Sequence, residues 1–223
     1  MKITYIGQAG LILENHGTTV MIDPYLSDSC AKLNPNSYRR QPVDETLFDL
    51  HPDILIFTHN HIDHYDPETA PRFLARGEST VLCPTSVWAE VRKLKTACNN
   101  VEFNPHTVWT QGGFRFTAVK ACHSDHDAIG VIIESDGRKY YVTGDTLYNT
   151  DVLADLPGDI DVVFLPVNGK GNNMNMEDAA RFARECGAKT AVPLHVGMFD
   201  EMTADAFPFE PKFVPTIYKE VIV

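Results

Sequence analysis

Short runs of apolar, largely β-branched residues recur along the chain, each closed by a turn former: MKITYIG, GLILENHGTTVMIDP, DILIFTH, STVLCP, FRFTAVKACH, GVIIESDGRKYYVTGD, DVVFLPV and KTAVPLH. Runs of this length and alternation read as strands, so sheets are the expected framework. Helices are expected between them. Asp66-Pro67-Glu68 supplies an N-cap, a first-turn proline and an acidic start for a helix stopped by Gly77. TSVWAEVRKLK carries Val87, Val91 and Leu94 on one side, and Asn175 with Asp178 opens MEDAARFAREC, which ends at Gly187. From Leu26 to Thr46 the chain is rich in turn formers and reads as a long loop, of the kind that borders sites.

The order of these pieces repeats. GLILENHGTTVMID from Gly10 resembles GVIIESDGRKYYVT from Gly130, with the turn glycines Gly17 and Gly137 in register. PDILIFTHNH and IDVVFLPVNG then each set a buried strand before a polar loop and a capped helix. The expectation is one domain over residues 1–223, built of two pseudo-repeated β-rich halves that face each other with helices outside. A chain of 223 residues that is 43% hydrophobic is long enough for one sizeable core.

Composition excludes several roles. No run approaches the roughly 18 apolar residues of a membrane span, and the first residues are broken by Gly, Gln and Glu where a signal peptide needs an apolar stretch. The five cysteines, Cys30, Cys83, Cys98, Cys122 and Cys186, are odd in number and contain no C-x-x-C, as suits reduced thiols in a cytoplasmic protein. A formal charge of -11 argues against a long nucleic acid as partner, because Lys and Arg are outnumbered and form no stripe. A small anionic substrate stays compatible with that charge, since bound cations reverse the local field. Self-association is left open.

Chemistry concentrates in THNHIDHYDPET, which follows the strand DILIF and holds His59, His61, Asp63 and His64. In an extended segment residues i and i+2 project to one side, so His59 and His61 can share an ion while the bend toward Pro67 turns Asp63 and His64 toward another. Three other apolar runs end in a ligand-type residue, at His123, Asp145 and His195. Strand ends gathered at one sheet edge are the usual place for a site in layered α/β folds. Asp23, in MIDPYL, reads as a hydrogen-bonding support for the cluster, although an aspartate before proline is also an ordinary turn. His16, His51 and His106 read as solvated surface. His126 reads equally as a rim residue that binds substrate or as a solvated loop residue.

His59-x-His61-x-Asp63-His64, then His123, then Thr143-Gly144-Asp145-Thr146, then Pro193-Leu194-His195, resemble in order and strand context the metallo-β-lactamase superfamily of dinuclear metal hydrolases. The resemblance extends along nearly the whole chain and implies a four-layer αβ/βα sandwich. It further implies His59, His61 and His123 on one metal, Asp63, His64 and His195 on a second, and Asp145 bridging them. Asp66 to Thr69, NNMNMEDAA and PLHVGMF look like the branch that contains ascorbate-6-phosphate lactonase. That likeness points to manganese, the superfamily at large to zinc, and the imidazole and carboxylate set is equally compatible with iron.

Two cations roughly 3.5–4 Å apart lower the pKa of a shared water and supply hydroxide as nucleophile, with Asp63 as the proton carrier. The expected reaction is hydrolysis of a lactone or related ester of a small anionic metabolite. A phosphodiesterase acting on cyclic nucleotides is the alternative within the fold, and a non-hydrolytic metal-binding or redox module is the alternative from another class. Asn173 and Asn175, in the glycine-rich approach to a helix N-terminus, are expected to touch substrate, Asn175 being equally an N-cap.

Overall fold

The alternation in the apolar runs resolves into layers. The structure, a computed structural model, describes residues Met1–Val223. Its strands are β1 (Lys2–Gly7), β2 (Gly10–Asn15), β3 (Thr18–Ile22), β4 (Ile54–Ile56), β5 (Thr80–Cys83), β6 (Asn99–Glu102), β7 (Val108–Gln111), β8 (Phe114–Lys120), β9 (Ile129–Ser135), β10 (Arg138–Val142), β11 (Val162–Pro166), β12 (Thr190–Leu194) and β13 (Lys219–Glu220). The helices are α1 (Ser29–Leu33), α2 (Ala70–Leu74), α3 (Thr85–Lys93), α4 (Thr150–Ala154) and α5 (Met176–Glu185), with a 3-10 turn over Glu45–Asp49.

Two sheets form, ordered β13-β1-β2-β3-β4-β5-β6 and β12-β11-β10-β9-β8-β7. Within the first, β1 to β3 are antiparallel neighbours, and β4 and β5 follow in parallel. The second repeats this order, with β8 to β10 antiparallel and β11 and β12 parallel.

The pleat decides which layer each side chain enters. On β4, Ile54 and Ile56 join the core shared with Val131, Val162 and Phe164 of the opposite sheet, while Leu55 and the following Phe57 pack with Phe73 of α2 and Val87 of α3. On β11, Val162 and Phe164 face the first sheet, and Val163 and Leu165 pack with Ala179 and Phe182 of α5. Three cores therefore separate four layers, helices outside and sheets within, which is the αβ/βα sandwich. Burial on both faces explains why β4 and β11 read as unbroken apolar runs.

Several local expectations shift. The helix expected from Asp66, α2, begins at Ala70, beside Pro71. Asp66 is buried and its carboxylate is occupied by the Glu68 amide and the Thr69 hydroxyl, so residues 66–69 form a turn that leads into the helix. Gly77, in the left-handed region, ends it as expected. Leu94 is 38% exposed, whereas Val87 and Val91 are buried, because α3 closes at Lys93 and leaves Leu94 as its C-cap. The loop from Leu26 contains α1, and the 3-10 turn begins near its far end. Strands β6, β7 and β13 lie at sheet edges and have mostly exposed or half-buried residues, so no apolar pattern announces them.

The N-terminus of α5 follows the sequence. The Asn175 side chain accepts from the Asp178 amide at 2.9 Å and satisfies one of the orphan donors of the first turn. Asn175→Ala is expected to lower unfolding free energy by about 1 kcal/mol, and Asn175→Asp to restore most of it, as read from urea midpoints.

Candidate metal centre

The residues singled out by the sequence sit on strand ends at one edge of the sandwich. Asp23 follows β3, the segment His59 to His64 follows β4, His123 follows β8, Asp145 follows β10 and His195 follows β12. Gly144, with φ +61°, allows the turn into Asp145, and a Cβ there would stand 2.7 Å from the Ile129 carbonyl oxygen. Non-glycine residues in and beside the cluster also hold left-handed backbone, among them Gln8 (φ 54°), Asp23 (φ 41°) and His195 (φ 67°). Such conformations persist only where surrounding bonds enforce them. The His195 amide donates to the Gln8 carbonyl at 2.9 Å, and the Asp23 amide to that of Ile56 at the same distance.

The cluster divides into three overlapping sets, each with its ligand atoms within 4.8 Å of one another: His59, His61 and His123; His59, His64 and Asp145; Asp63, His64 and His195. His61 Nδ1 lies 3.1 Å from His123 Nε2, and His64 Nε2 lies 3.3 Å from His195 Nε2. Asp145 joins the sets, with Oδ1 3.3 Å from His64 Nε2 and Oδ2 3.2 Å from His195 Nε2. Asp63 Oδ2 is 3.3 Å from the same His195 nitrogen. His59 Nε2 and Asp145 Oδ1 are buried and no hydrogen bond reaches either, although His64 stands near the latter. Unpaired lone pairs in a buried cluster are costly unless something electron-poor sits between them. Divalent cations fit that donor set, which is nitrogen and oxygen only.

The charges are balanced within the cluster. Burial and the neighbouring positive His64 hold His59 well below the ordinary imidazole range. Burial alone would lower His64 and His195 as well, but the carboxylates outweigh it: Asp145, Asp63 and Asp23 raise His64 far above its usual value, and Asp145 and Asp63 raise His195 to about 9. In return, although burial raises both carboxyls, charge on His64 and His195 holds Asp63 and Asp145 well below the usual carboxylate range.

Residues behind the cluster aim it. The buried Asp23 carboxylate accepts from the Thr58 amide (2.8 Å), the Thr58 hydroxyl (2.6 Å) and His64 Nδ1 (2.8 Å), which turns His64 Nε2 toward the centre. Asp125 ties the loops together, accepting from the Asn60 amide and the Ser86 hydroxyl. Sequence reasoning missed Gln8, whose Nε2 donates to Asp63 Oδ2 at 2.7 Å and approaches the His195 ring. It also missed Asn168, whose carboxamide meets His195 Nδ1 at 3.0 Å. The glycine-flanked GQAG turn was the only local signal for Gln8, and nothing local marks Asn168 as touching His195. Asn173 donates from Nδ2 to Asp145 Oδ2 at 2.8 Å, and His123 Nδ1 donates to the Asn172 carbonyl at 3.2 Å.

The centre opens into a cavity of about 480 Å³. Its floor includes His61, Asp63, Asp145 and His195, with Asn168 and Asn173 beside them. Two loops wall it: one contributes Cys30, Asn34, Asn36 and Ser37, the other Gly197 to Asp200. Lys170 is the one lysine or arginine on the lining, paired with Asp200 at 3.0 Å. His126 is exposed and, like Asn175, stands outside the lining. His16, His51 and His106 lie elsewhere on the surface, near Asp136, Glu78 and Asp155 respectively. No helix is long and apolar enough to cross a membrane.

Comparison with known proteins agrees with this geometry. The sequence pattern of the beta-lactamase superfamily domain matches residues 18–196. A UPF0173 metal-dependent hydrolase from Exiguobacterium sp. is 30% identical over 226 residues, covering 94% of this chain and 92% of that protein. Another from Anoxybacillus flavithermus is 27% identical over 225 residues, with 94% and 92% covered. Among solved structures, the isothiocyanate hydrolase from Delia radicum gut bacteria superposes with a TM-score of 0.77 at 20% identity, over 100% of this chain and 99% of that one. A metallo hydrolase from the archaeon Ignicoccus hospitalis gives 0.71 at 22% identity, over 88% and 82%. Sandwich, strand-end cluster and matched pattern together establish that this chain belongs to the metallo-β-lactamase superfamily of metal-dependent hydrolases.

Proposed function

We propose that the chain holds two divalent cations and hydrolyses a lactone or related ester of a small anionic metabolite. The observation that carries this reading is the convergence of seven ligand-type side chains in three overlapping sets, with His59 Nε2 and Asp145 Oδ1 buried and unpaired. Seven candidates exceed the four of a closed single-ion site. His59, His61 and His123 would hold one cation, Asp63, His64 and His195 the other, and Asp145 both. The UPF0173 relatives, named as metal-dependent hydrolases, support the reaction class.

When bound, such cations supply an acidified water and polarise the oxygen of the scissile group. The protein's own residues do the rest. Asp63 is the more exposed of the two central carboxylates, its side chain 18% accessible against 5% for Asp145, so it is the one able to take a proton from an attacking water and return it to the leaving oxygen. Gln8 restrains Asp63 during that transfer through the Nε2 to Oδ2 hydrogen bond. Asp23 keeps His64 aimed inward. The cavity volume suits a metabolite and not a polymer. Asp63, Asp145 and Asp200 line it against Lys170 and, in the cation-free protein, the protonated His195, whose charge is lost when it takes a cation, so an anionic substrate then depends on the cations for its attraction. The choice of cyclic ester over phosphodiester rests on the likeness of Asp66 to Thr69, Asn173 to Asp178 and Pro193 to Phe199 to the lactonase branch.

Elemental analysis after loading with Zn(II) or Mn(II) is expected to return two ions per chain. Asp145→Ala should weaken both, whereas His106→Ala, at a solvent-facing histidine, should leave both intact. A constant stoichiometry of one at excess metal would remove the dinuclear reading.

The cations also compete with protons. In the cation-free protein His195 keeps its proton up to about 9, and a cation must displace it. Affinity is therefore expected to rise by about tenfold or more per pH unit from pH 7 toward pH 9, since the proton that His64 holds must be displaced as well. Titration against a chromophoric chelator measures it, and a flat profile over that window contradicts the charge assignment.

For the substrate, kcat/KM is to be compared between a panel of lactones and panels of cyclic nucleotides and bis-aryl phosphodiesters, on one metal-loaded preparation. Lactones are expected to be preferred. A preference of about tenfold or more for phosphodiesters, about 1.4 kcal/mol in the transition state, would replace the lactonase reading with the phosphodiesterase one.

A further inference from the structure

Three outer contacts of the centre come from a single short loop. Between β11 and α5, residues 168–173 turn tightly, with Gly169, Gly171 and Asn172 all in the left-handed region. The loop is closed by the Gly169 amide on the Met174 carbonyl (3.0 Å) and the Asn173 amide on that of Lys170 (3.2 Å). It is pinned beside two candidate ligands: the Met174 amide donates to Thr146, next to Asp145, and the Val167 amide to Leu194, next to His195. From this fixed frame Asn173 reaches Asp145, the Asn172 carbonyl reaches His123, and Asn168 reaches His195.

The two asparagines face partners of opposite need. Asp145 offers only acceptors, so the carboxamide of Asn173 has one workable orientation, with Nδ2 donating at 2.8 Å. His195 is different. For Nε2 to present a lone pair toward Asp63 and Asp145, Nδ1 must carry the hydrogen, and the group 3.0 Å from Nδ1 must accept it. A carboxamide has nearly the same shape either way round, so its partner decides the orientation.

We infer that Asn173 and Asn168 are positioning residues of opposite hydrogen-bond polarity, Asn173 a donor that fixes Asp145 and Asn168 an acceptor that sets the metal-facing nitrogen of His195. The inference rests on the reading that Asp145 and His195 hold cations, and the substrate contact expected at Asn173, which also lines the cavity, is a separate role.

The same chemical change at the two positions should then have opposite results. Asn168→Asp keeps an acceptor at His195 Nδ1, and Zn(II) affinity should stay within about threefold of the parent or tighten; Asn168→Leu should lose about tenfold. Asn173→Asp sets carboxylate against carboxylate and should weaken Zn(II) by about tenfold or more. Affinity is read by chelator competition on the full chain, with the Co(II) absorption spectrum reporting ligand geometry and circular dichroism confirming the fold. If Asn173→Asp does not fold, Asn173→Ala removes the donor without adding charge, and the same loss is expected of it. Equal affinity in both aspartate variants, or loss in both alike, would overturn the inference. A parent protein that takes up no divalent cation would overturn the metal reading itself, which is a separate and visible result.

Discussion

The site depends on one fully buried carboxylate. Asp23 has no exposed surface, and a charge in that position is tolerable only because donors surround it: the Thr58 amide, the Thr58 hydroxyl and His64 Nδ1. Those donors lie on the segment that leaves β4, so the carboxylate locks the end of β3 to the start of the histidine cluster. Its own backbone is left-handed, a conformation held by the hydrogen bond that the Asp23 amide donates to the Ile56 carbonyl. A shift of this group would rotate His64, which belongs to two of the three ligand sets. The layered cores serve the same end from further away, because buried β4 and β11 cannot slide without moving side chains into the wrong layer.

Such convergence is unfavourable by itself. Imidazole nitrogens 3.1 and 3.3 Å apart, and two carboxylates converging on one histidine, repel their own kind and are held close by the fold. The protein meets part of the cost by protonating His64 and His195 against Asp63 and Asp145. Groups behind the candidate ligands set their rotamers: Asp23 holds His64, Gln8 holds Asp63 and Asn168 meets His195.

What could be read from the sequence follows from how local each signal is. His59, His61, Asp63 and His64 announce themselves because spacing within one segment sets their directions. His123, Asp145 and His195 could be found because each ends an apolar run, and strand ends meet at one edge. Asp23 could be read only as support or as a turn, and the structure brings it against His64. Gln8 and Asn168 could not be found: each acts across a long separation in sequence, and neither belongs to a periodic pattern. Edge strands β6, β7 and β13 escaped for a related reason, since half-exposed residues carry little apolar alternation. Leu94 and Asp66 show the limit of end signals, where a C-cap and a buried turn resemble the helix they border.

The division of labour around the cavity has an evolutionary consequence. The ligands stand on strand ends fixed by three cores, whereas the two walls, around Asn34 to Ser37 and Gly197 to Asp200, come from loops that contribute no member of the three ligand sets. Substitutions, insertions or deletions in those walls reshape what fits without disturbing the groups that react. The shape of the cavity and the arrangement of the candidate ligands thus rest on different parts of the chain, and loop changes can alter the first while the strand ends keep the second.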